Sequence, residues 1–282
     1  MRLLGIILLV LFFYGCSKEE LKSPDAYFFK INKVNVAIAT PSIQGTASNK
    51  ITDLWLYVNG KFRGAYPTGS MLPVASFGGT KILIYPGIKN NGISTTRIPY
   101  EFLSPVEIDT SLTNGVVVNR DLNFSYKPSA VFHWNEDFEG FGTITGITMK
   151  LSPAGTASFT VLNGDPNVFE GTKCILISGF SGTDVAQIES NSLYTLPFNG
   201  EPIYLELNYK CNQDFEVGVV AGTAYRSVEI IPAKDYWNKI YIQLTGAVST
   251  QPTSAQYGIY FKAISEVSNP QIYLDNLKLI SY

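Results

Sequence analysis

Apolar and polar positions alternate with a period of two along most of this chain. The clearest case is ITDLWLYVNGKFRGAYP, where Leu54, Leu56 and Val58 alternate with Trp55 and Tyr57. That repeat predicts a strand with one face buried. Asn59-Gly60 follows it and offers the two positive-φ positions of a type I′ hairpin turn. Similar runs predict strands at Tyr27–Ala39, Ile51–Val58, Lys61–Tyr66, Thr80–Tyr85, Thr96–Phe102, Val106–Ser111 and Gly115–Asn119. Phe77-Gly78-Gly79 and Asn90-Asn91-Gly92 punctuate them as turns. Seven short strands within residues 26–125 predict an immunoglobulin-like sandwich.

A polar stretch from Asp121 to Ala130, with Pro128 and Ser129, marks a domain boundary. Alternation resumes beyond it, in residues 131–282. Ile203, Leu205, Leu207 and Tyr209 share one face, as do Ile240, Ile242 and Leu244, and Tyr257, Ile259, Phe261 and Ala263. Roughly ten strands in this span predict a jelly-roll sandwich. No stretch shows helical spacing with caps, so the fold class is all-β, two β-sandwiches in series. The last strand breaks its own pattern. Ile272 and Leu274 lie on even positions, Leu277 and Leu279 on odd ones. A β-bulge at Asp275-Asn276 would restore one apolar face. The other reading is a strand buried on both faces, with Asp275-Asn276 at an exposed edge.

The N-terminal pattern is different in kind. Arg2 precedes an unbroken apolar run from Leu3 to Phe13. The run is shorter than the roughly 20 residues a membrane-spanning helix needs, and reads as a secretory signal over residues 1–15. It ends in Phe13-Tyr14-Gly15-Cys16, which resembles the lipobox of bacterial lipoproteins. That family prefers Leu and a small residue where Phe13 and Tyr14 stand. The resemblance implies cleavage before Cys16 and its acylation, which with two or more chains gives stable anchoring. A plain signal peptide cleaved elsewhere is the other reading. Ser17 is not the Asp that resembles an inner-membrane retention signal. Lys18-Glu19-Glu20 resembles the export signal of Bacteroidota surface lipoproteins. Residues 16–25 form a short polar tether that keeps the first sandwich near the membrane surface.

Two further resemblances bear on architecture. LYVNGKFRGAYP followed by ILIYPG is similar to small surface-attached sandwiches of the PEGA and carboxypeptidase-regulatory type. EDFEG, YWNKIYIQL and YLDNLKL resemble the galactose-binding-like jelly rolls of carbohydrate-binding modules. Those domains often hold a structural calcium between first and last strands. A bulge at Asp275 would aim its carboxylate toward Asp137 and Glu139, three oxygen donors for Ca²⁺. The same resemblance places Trp237 in the core.

Composition narrows the chemistry. The net charge of −2 over 282 residues gives no basis for nucleic-acid binding. His133 is the only histidine, which excludes a zinc site built on several imidazoles. Flanked by Phe132 and Trp134, it reads as a packing residue. No Gly-x-Ser-x-Gly elbow and no glycine-rich phosphate loop occurs. A glycosidase would need two carboxylates across a cleft, from such distant residues as Asp214, Glu216 and Glu229. Cys174 and Cys211 remain once Cys16 is lipidated. They form one disulfide, as an exported chain permits, or stay as two buried thiols.

Aromatics make up 13% of the chain. Sugar rings pack on exposed aromatic faces, which makes Trp55, Tyr57, Tyr225, Tyr236 and Tyr241 candidates for ligand contact. Trp55 and Tyr57 form a row opposite an apolar one, an outer face or a partner surface. The expectation is a non-enzymatic lipoprotein on the extracellular side of the outer membrane. It would be an accessory or scaffold subunit docked on a β-barrel membrane protein. The alternative is a glycan-binding lipoprotein that captures polysaccharide. A hydrolase with paired carboxylates is the third reading. No cofactor is required beyond the possible calcium.

Overall fold

A computed structural model describes residues 23–111, 114–140, 147–152, 157–250 and 256–282. The leader and Cys16 lie outside the described residues. The first sandwich contains β1 (Asp25–Ala37), β2 (Asp53–Val58), β3 (Lys61–Pro67), β4 (Met71–Ser76), β5 (Thr80–Lys89), β6 (Arg97–Pro99), β7 (Val106–Thr110) and β8 (Val117–Ser125). One sheet has the order β4-β1-β8; the other runs β3-β2-β5-β6, with β7 also paired to β5. β1 runs parallel to β8, from Phe28 opposite Val117 to Ala37 opposite Ser125. Leu54, Leu56 and Val58 fill the core, and Asn59 and Gly60 take φ values of 50° and 75°. The β2–β3 hairpin is therefore the one its sequence predicts.

Two expectations needed correction here. β4, MLPVAS, carries no predicted strand. It lies at a sheet edge, where Pro73 removes no ladder bond that matters. β8 extends through Asp121–Ser125, which reads as a polar connector. Leu122 and Phe124 are completely buried there, and polar residues between them face solvent.

The second sandwich contains β9 (Val131–Glu136), β10 (Met149–Leu151), β11 (Ser158–Asn163), β12 (Lys173–Ser178), β13 (Val185–Ser190), β14 (Ile203–Cys211), β15 (Phe215–Ala221), β16 (Ala224–Ile231), β17 (Lys234–Gln243), β18 (Gly258–Ile264) and β19 (Ile272–Ser281). Its sheets run β10-β13-β18-β15-β16 and β11-β12-β19-β14-β17, with β9 also paired to β19. All three predicted apolar rows pack in its core. Two short helices, α1 (Pro41–Gln44) and α2 (Thr245–Ser249), lie outside the sheets.

β19 shows how the parity break resolves. Against β14 its register shifts between the pairs Glu206–Lys278 and Asn208–Asp275, leaving one extra residue on β19. Asn276 sits in that bulge at φ 50°. Ile272, Leu274, Leu277 and Leu279 consequently all reach the second core. The strand is also buried along its other face.

At the Lys278–Ile280 end that second burial comes from the first sandwich, and at Tyr273, Asp275 and Asn276 it comes from Glu170 and Trp237 of the second. Tyr204, Tyr241 and Ile280 leave the second core and join the first one. Tyr100 meets Tyr241 with ring centroids 4.9 Å apart and Tyr204 at 5.5 Å. Among these rings lies Glu206, 1% exposed. Its carboxylate accepts from the hydroxyls of Tyr100 at 2.7 Å and Tyr126 at 2.9 Å. Lys239 pairs with it at 3.0 Å, and Lys278 Nζ donates to the Thr46 carbonyl at 2.5 Å. The β5–β6 turn reaches β17 as well. Asn91 N donates to Tyr241 O at 2.9 Å, and Gln243 N to Asn91 Oδ1 at 2.8 Å.

Candidate functional site

The outer face of the β10-β13-β18-β15-β16 sheet is built by the same alternation that fills the core. Ala186 and Ile188 point inward, so Gln187 and Glu189 point outward; Ile259 and Phe261 do the same for Tyr260 and Lys262. Cross-strand register then sets two rows. Lys150, Glu189, Tyr260 and Gly218 stand opposite one another on successive strands. Gln187, Lys262 and Glu216 make the next row. Such cross-strand neighbours are close enough to interact directly.

Tyr225 of β16 lies over the first row. It is 44% exposed, yet its hydroxyl donates to Glu189 Oε1 at 2.5 Å. Its ring meets Tyr260 edge-on, 5.2 Å between centroids at 79°. Gln187 Nε2 donates to Ser152 Oγ at 3.0 Å and to Glu189 Oε1 at 3.4 Å. Tyr260 donates to Glu216. Gly218 makes the arrangement possible: a Cβ there would stand 2.4 Å from the Tyr260 ring. Sequence reasoning found Tyr225 but not Gln187, Glu189, Tyr260 or Gly218. The available signal was a glycine inside the strand FEVGVVA, which marks close approach of another group.

The electrostatics fix the roles on this face. Burial works to raise the Glu189 carboxyl, but the Tyr225, Ser152 and Gln187 bonds outweigh it and hold it below the ordinary value. The bond to Glu189 raises the Tyr225 phenol. At neutral pH the pair is therefore a carboxylate with a neutral phenol, a charge-assisted bond of the stronger kind. Gln187, Glu189 and Tyr260 are themselves buried, so the groups this face leaves open to a ligand are the Tyr225 ring and the partly exposed Glu216 and Lys262.

The other predicted aromatics are dispersed. Trp55 and Tyr57 sit half-buried on the outer face of β2; both lean on Phe62 at 5.3 Å, and Tyr57 on Tyr85 at 5.3 Å. Tyr236 is 57% exposed on β17. Tyr241 is not a surface platform: it is 3% exposed, and its hydroxyl accepts from Lys50 N at 2.9 Å. Trp237 is half-buried outside the core, against Phe169 at 5.3 Å, with Nε1 donating to Asn167 O at 3.0 Å.

Cys174 and Cys211 are free and buried. β19 separates their strands, a spacing of roughly 9–10 Å, beyond the ~7 Å a disulfide spans. Cys211 also faces the core, whereas Cys174 lies on the opposite face beside Asn167 O. Burial raises the thiols to about 12 and about 11.

The three carboxylates predicted to hold calcium each accept hydrogen bonds from the protein, and Glu139 and Glu170 lie near enough to Asp275 for their charges to add to its rise. Glu139 accepts from Thr172 N at 2.6 Å, Lys173 N at 2.7 Å and Thr172 Oγ1 at 2.7 Å. Asp137 accepts from Glu139 N at 3.1 Å. Asp275 is 1% exposed and accepts from Asn276 N at 2.7 Å; burial raises it to about 8. Among the described residues no group of three His, Cys, Asp or Glu side chains is placed to hold a metal ion. His133 Nε2 lies 2.7 Å from Ser281 Oγ. That hydroxyl is fully buried and donates to Tyr282 O at 3.1 Å, out of reach of any substrate.

No family model and no curated protein matches the chain. Several solved structures do. A xylan-binding domain from Paenibacillus barcinonensis shares 13% identity, covering 55% of this chain and 97% of its own, with a TM-score of 0.42. An adhesin domain of Lys-gingipain from Porphyromonas gingivalis shares 14%, covering 54% and 99%, at 0.40. A carbohydrate-binding module of the β-sandwich superfamily shares 12%, covering 80% and 84%, at 0.38.

Proposed function

We propose that the chain is a non-catalytic glycan-binding protein, held at the outer cell surface by lipid on Cys16. The sugar ring rests on Tyr225, which the buried Glu189 and Gln187 hold in place, and Glu216 and Lys262 read its hydroxyls. The observation that carries this reading is Tyr225 itself: nearly half-exposed, yet fixed in orientation by the 2.5 Å bond to Glu189. Ligand contact then requires little further ordering of that side chain, which is where much of the cost of binding lies.

The accessory role on a β-barrel has less behind it. Trp55 and Tyr57, its expected contact residues, are half-covered by Phe62 and Tyr85.

The test is titration calorimetry of the intact chain against neutral oligosaccharides, beside Tyr225→Ala. The expected outcome is at least about a tenfold loss of affinity in the variant, with cooperative thermal unfolding kept and its midpoint lowered only by the lost Glu189 bond and Tyr260 contact. Failure of every neutral glycan to bind the parent chain would sink the reading. Anchoring is tested separately: Cys16→Ala should release the protein from the membrane fraction.

A further inference from the structure

A cleft of about 360 Å³ opens where the two sandwiches meet. It falls within the roughly 300–1,000 Å³ of small-ligand sites. Lys50, ahead of β2, and Lys89, at the end of β5, enter from the first sandwich. Lys234 and Tyr236 of β17 and Glu229 and Ile230 of β16 enter from the second. Three ammonium groups therefore face one cavity, in a chain whose net charge is −2. Among the described residues, none of the three is in an ion pair. Lys50 donates to Asn238 Oδ1, and Lys234 Nζ lies 5.9 Å from the centre of the Tyr236 ring. Glu229 is the one carboxylate on the cleft wall, and Lys239 deeper in is neutralised by Glu206.

This gathering of like charge is unfavourable as it stands. Burial lowers the Lys50 ammonium from its ordinary value, and repulsion from Lys89 and Lys234 lowers it further. A bound anion would relieve both effects. The wall also supplies apolar surface, with Tyr236 57% and Ile230 63% exposed. Together these groups suit a ring with one flat apolar face and one negative charge.

We infer that this cleft is a second binding site, distinct from the Tyr225 face, for an anionic saccharide. The ring lies on Tyr236 and Ile230, and its carboxylate, sulfate or phosphate sits among Lys50, Lys89 and Lys234. Such a unit has two sources, a uronate-bearing polysaccharide or the phosphorylated sugars of a lipopolysaccharide headgroup.

Titration calorimetry of the intact chain separates them. One arm uses an oligogalacturonate, a second a phosphorylated lipopolysaccharide disaccharide, and a third a neutral oligosaccharide of equal length. Binding in the first or second arm at least about tenfold tighter than in the third is the expected result, and the arm that responds names the source. Lys89→Ala should weaken that binding about fivefold, and Lys33→Ala, the same charge change on exposed β1, should leave it unaltered. Affinity of the parent chain should also fall as salt is raised, because the contacts are partly solvated. That measurement needs no variant, so it stands even if Lys50 or Lys234 replacements misfold. Anionic and neutral saccharides binding equally, or Lys89→Ala binding as the parent does, would overturn the inference.

Discussion

Glu206 is completely enclosed, and its environment decides its charge. Burial works to raise its carboxyl, but Lys239, Lys278 and the Tyr100 hydroxyl outweigh that and hold it ionised. Lys278 answers in the opposite sense: burial brings its ammonium down to about 8 despite the attraction of Glu206. Removing one partner of such a set leaves charge buried without compensation, a loss of about 3 kcal/mol or more. Glu206→Gln should therefore destabilise the protein by about that amount, read by urea unfolding. The loss should shrink at alkaline pH. The attraction of Glu206 is part of what keeps the Lys278 ammonium as high as about 8, so in the variant Lys278 loses its proton at lower pH than in the parent. In both proteins stability rises with pH where the folded state has released a proton that the unfolded state keeps up to about 10.5, and the variant, in which that release begins earlier, recovers more. A variant equally weakened at pH 6 and pH 9 would contradict this assignment. None of it was legible beforehand: YLELNY reads as a strand with Glu206 and Asn208 on its wet face, because alternation reports polarity and not what lies opposite.

At the scale of the element, β19 was the most legible part of the chain. Its parity break required either a bulge or burial of both faces with Asp275-Asn276 at an exposed edge; the structure has the bulge and buries both faces, and Asp275 and Asn276 are buried too, not exposed. The bulge brings Leu277 and Leu279 back to the core, and the remaining face is covered by the first sandwich at Lys278 and Ile280 and by Glu170 and Trp237 at the other end. Asn276 holds a positive φ that asparagine tolerates and a β-branched residue does not. Asn276→Gly and Asn276→Val both lose the side-chain bond to Glu170, so their difference isolates the backbone. Valine should be the worse by about 1–3 kcal/mol in thermal unfolding. Deleting Asn276 should abolish cooperative folding, since a one-residue slip sends Leu277 and Leu279 out and Lys278 in. β4 shows the opposite case. Its alternation is short and holds a proline, and only its edge position makes it a strand.

At the scale of the molecule, two sandwiches could be read from the sequence, but not their union. The residues that join them, Tyr100, Tyr126, Tyr204 and Tyr241, look like ordinary strand aromatics until both surfaces are seen together. Coupling of this kind makes unfolding one event. Trp55 belongs to the first sandwich and Trp134 and Trp237 to the second, so a Trp55→Phe protein and a Trp134→Phe/Trp237→Phe protein report on different halves. Their denaturation midpoints should agree within the destabilisation of each variant, as a two-state transition requires; two separated steps would show that the halves melt independently. One contact in this union bears on how the chain is made. β17 is the outermost strand of its sheet, and such an edge invites other chains to pair with it. The turn at Asn90 and Asn91 sits on part of that edge, at Tyr241 O and Gln243 N. During synthesis N-terminal domains fold first, so the guard is in place before the strand it shields has been made. Domain order is thus a safeguard against aggregation, and a permuted chain with the second sandwich leading would pass through its nascent state unprotected.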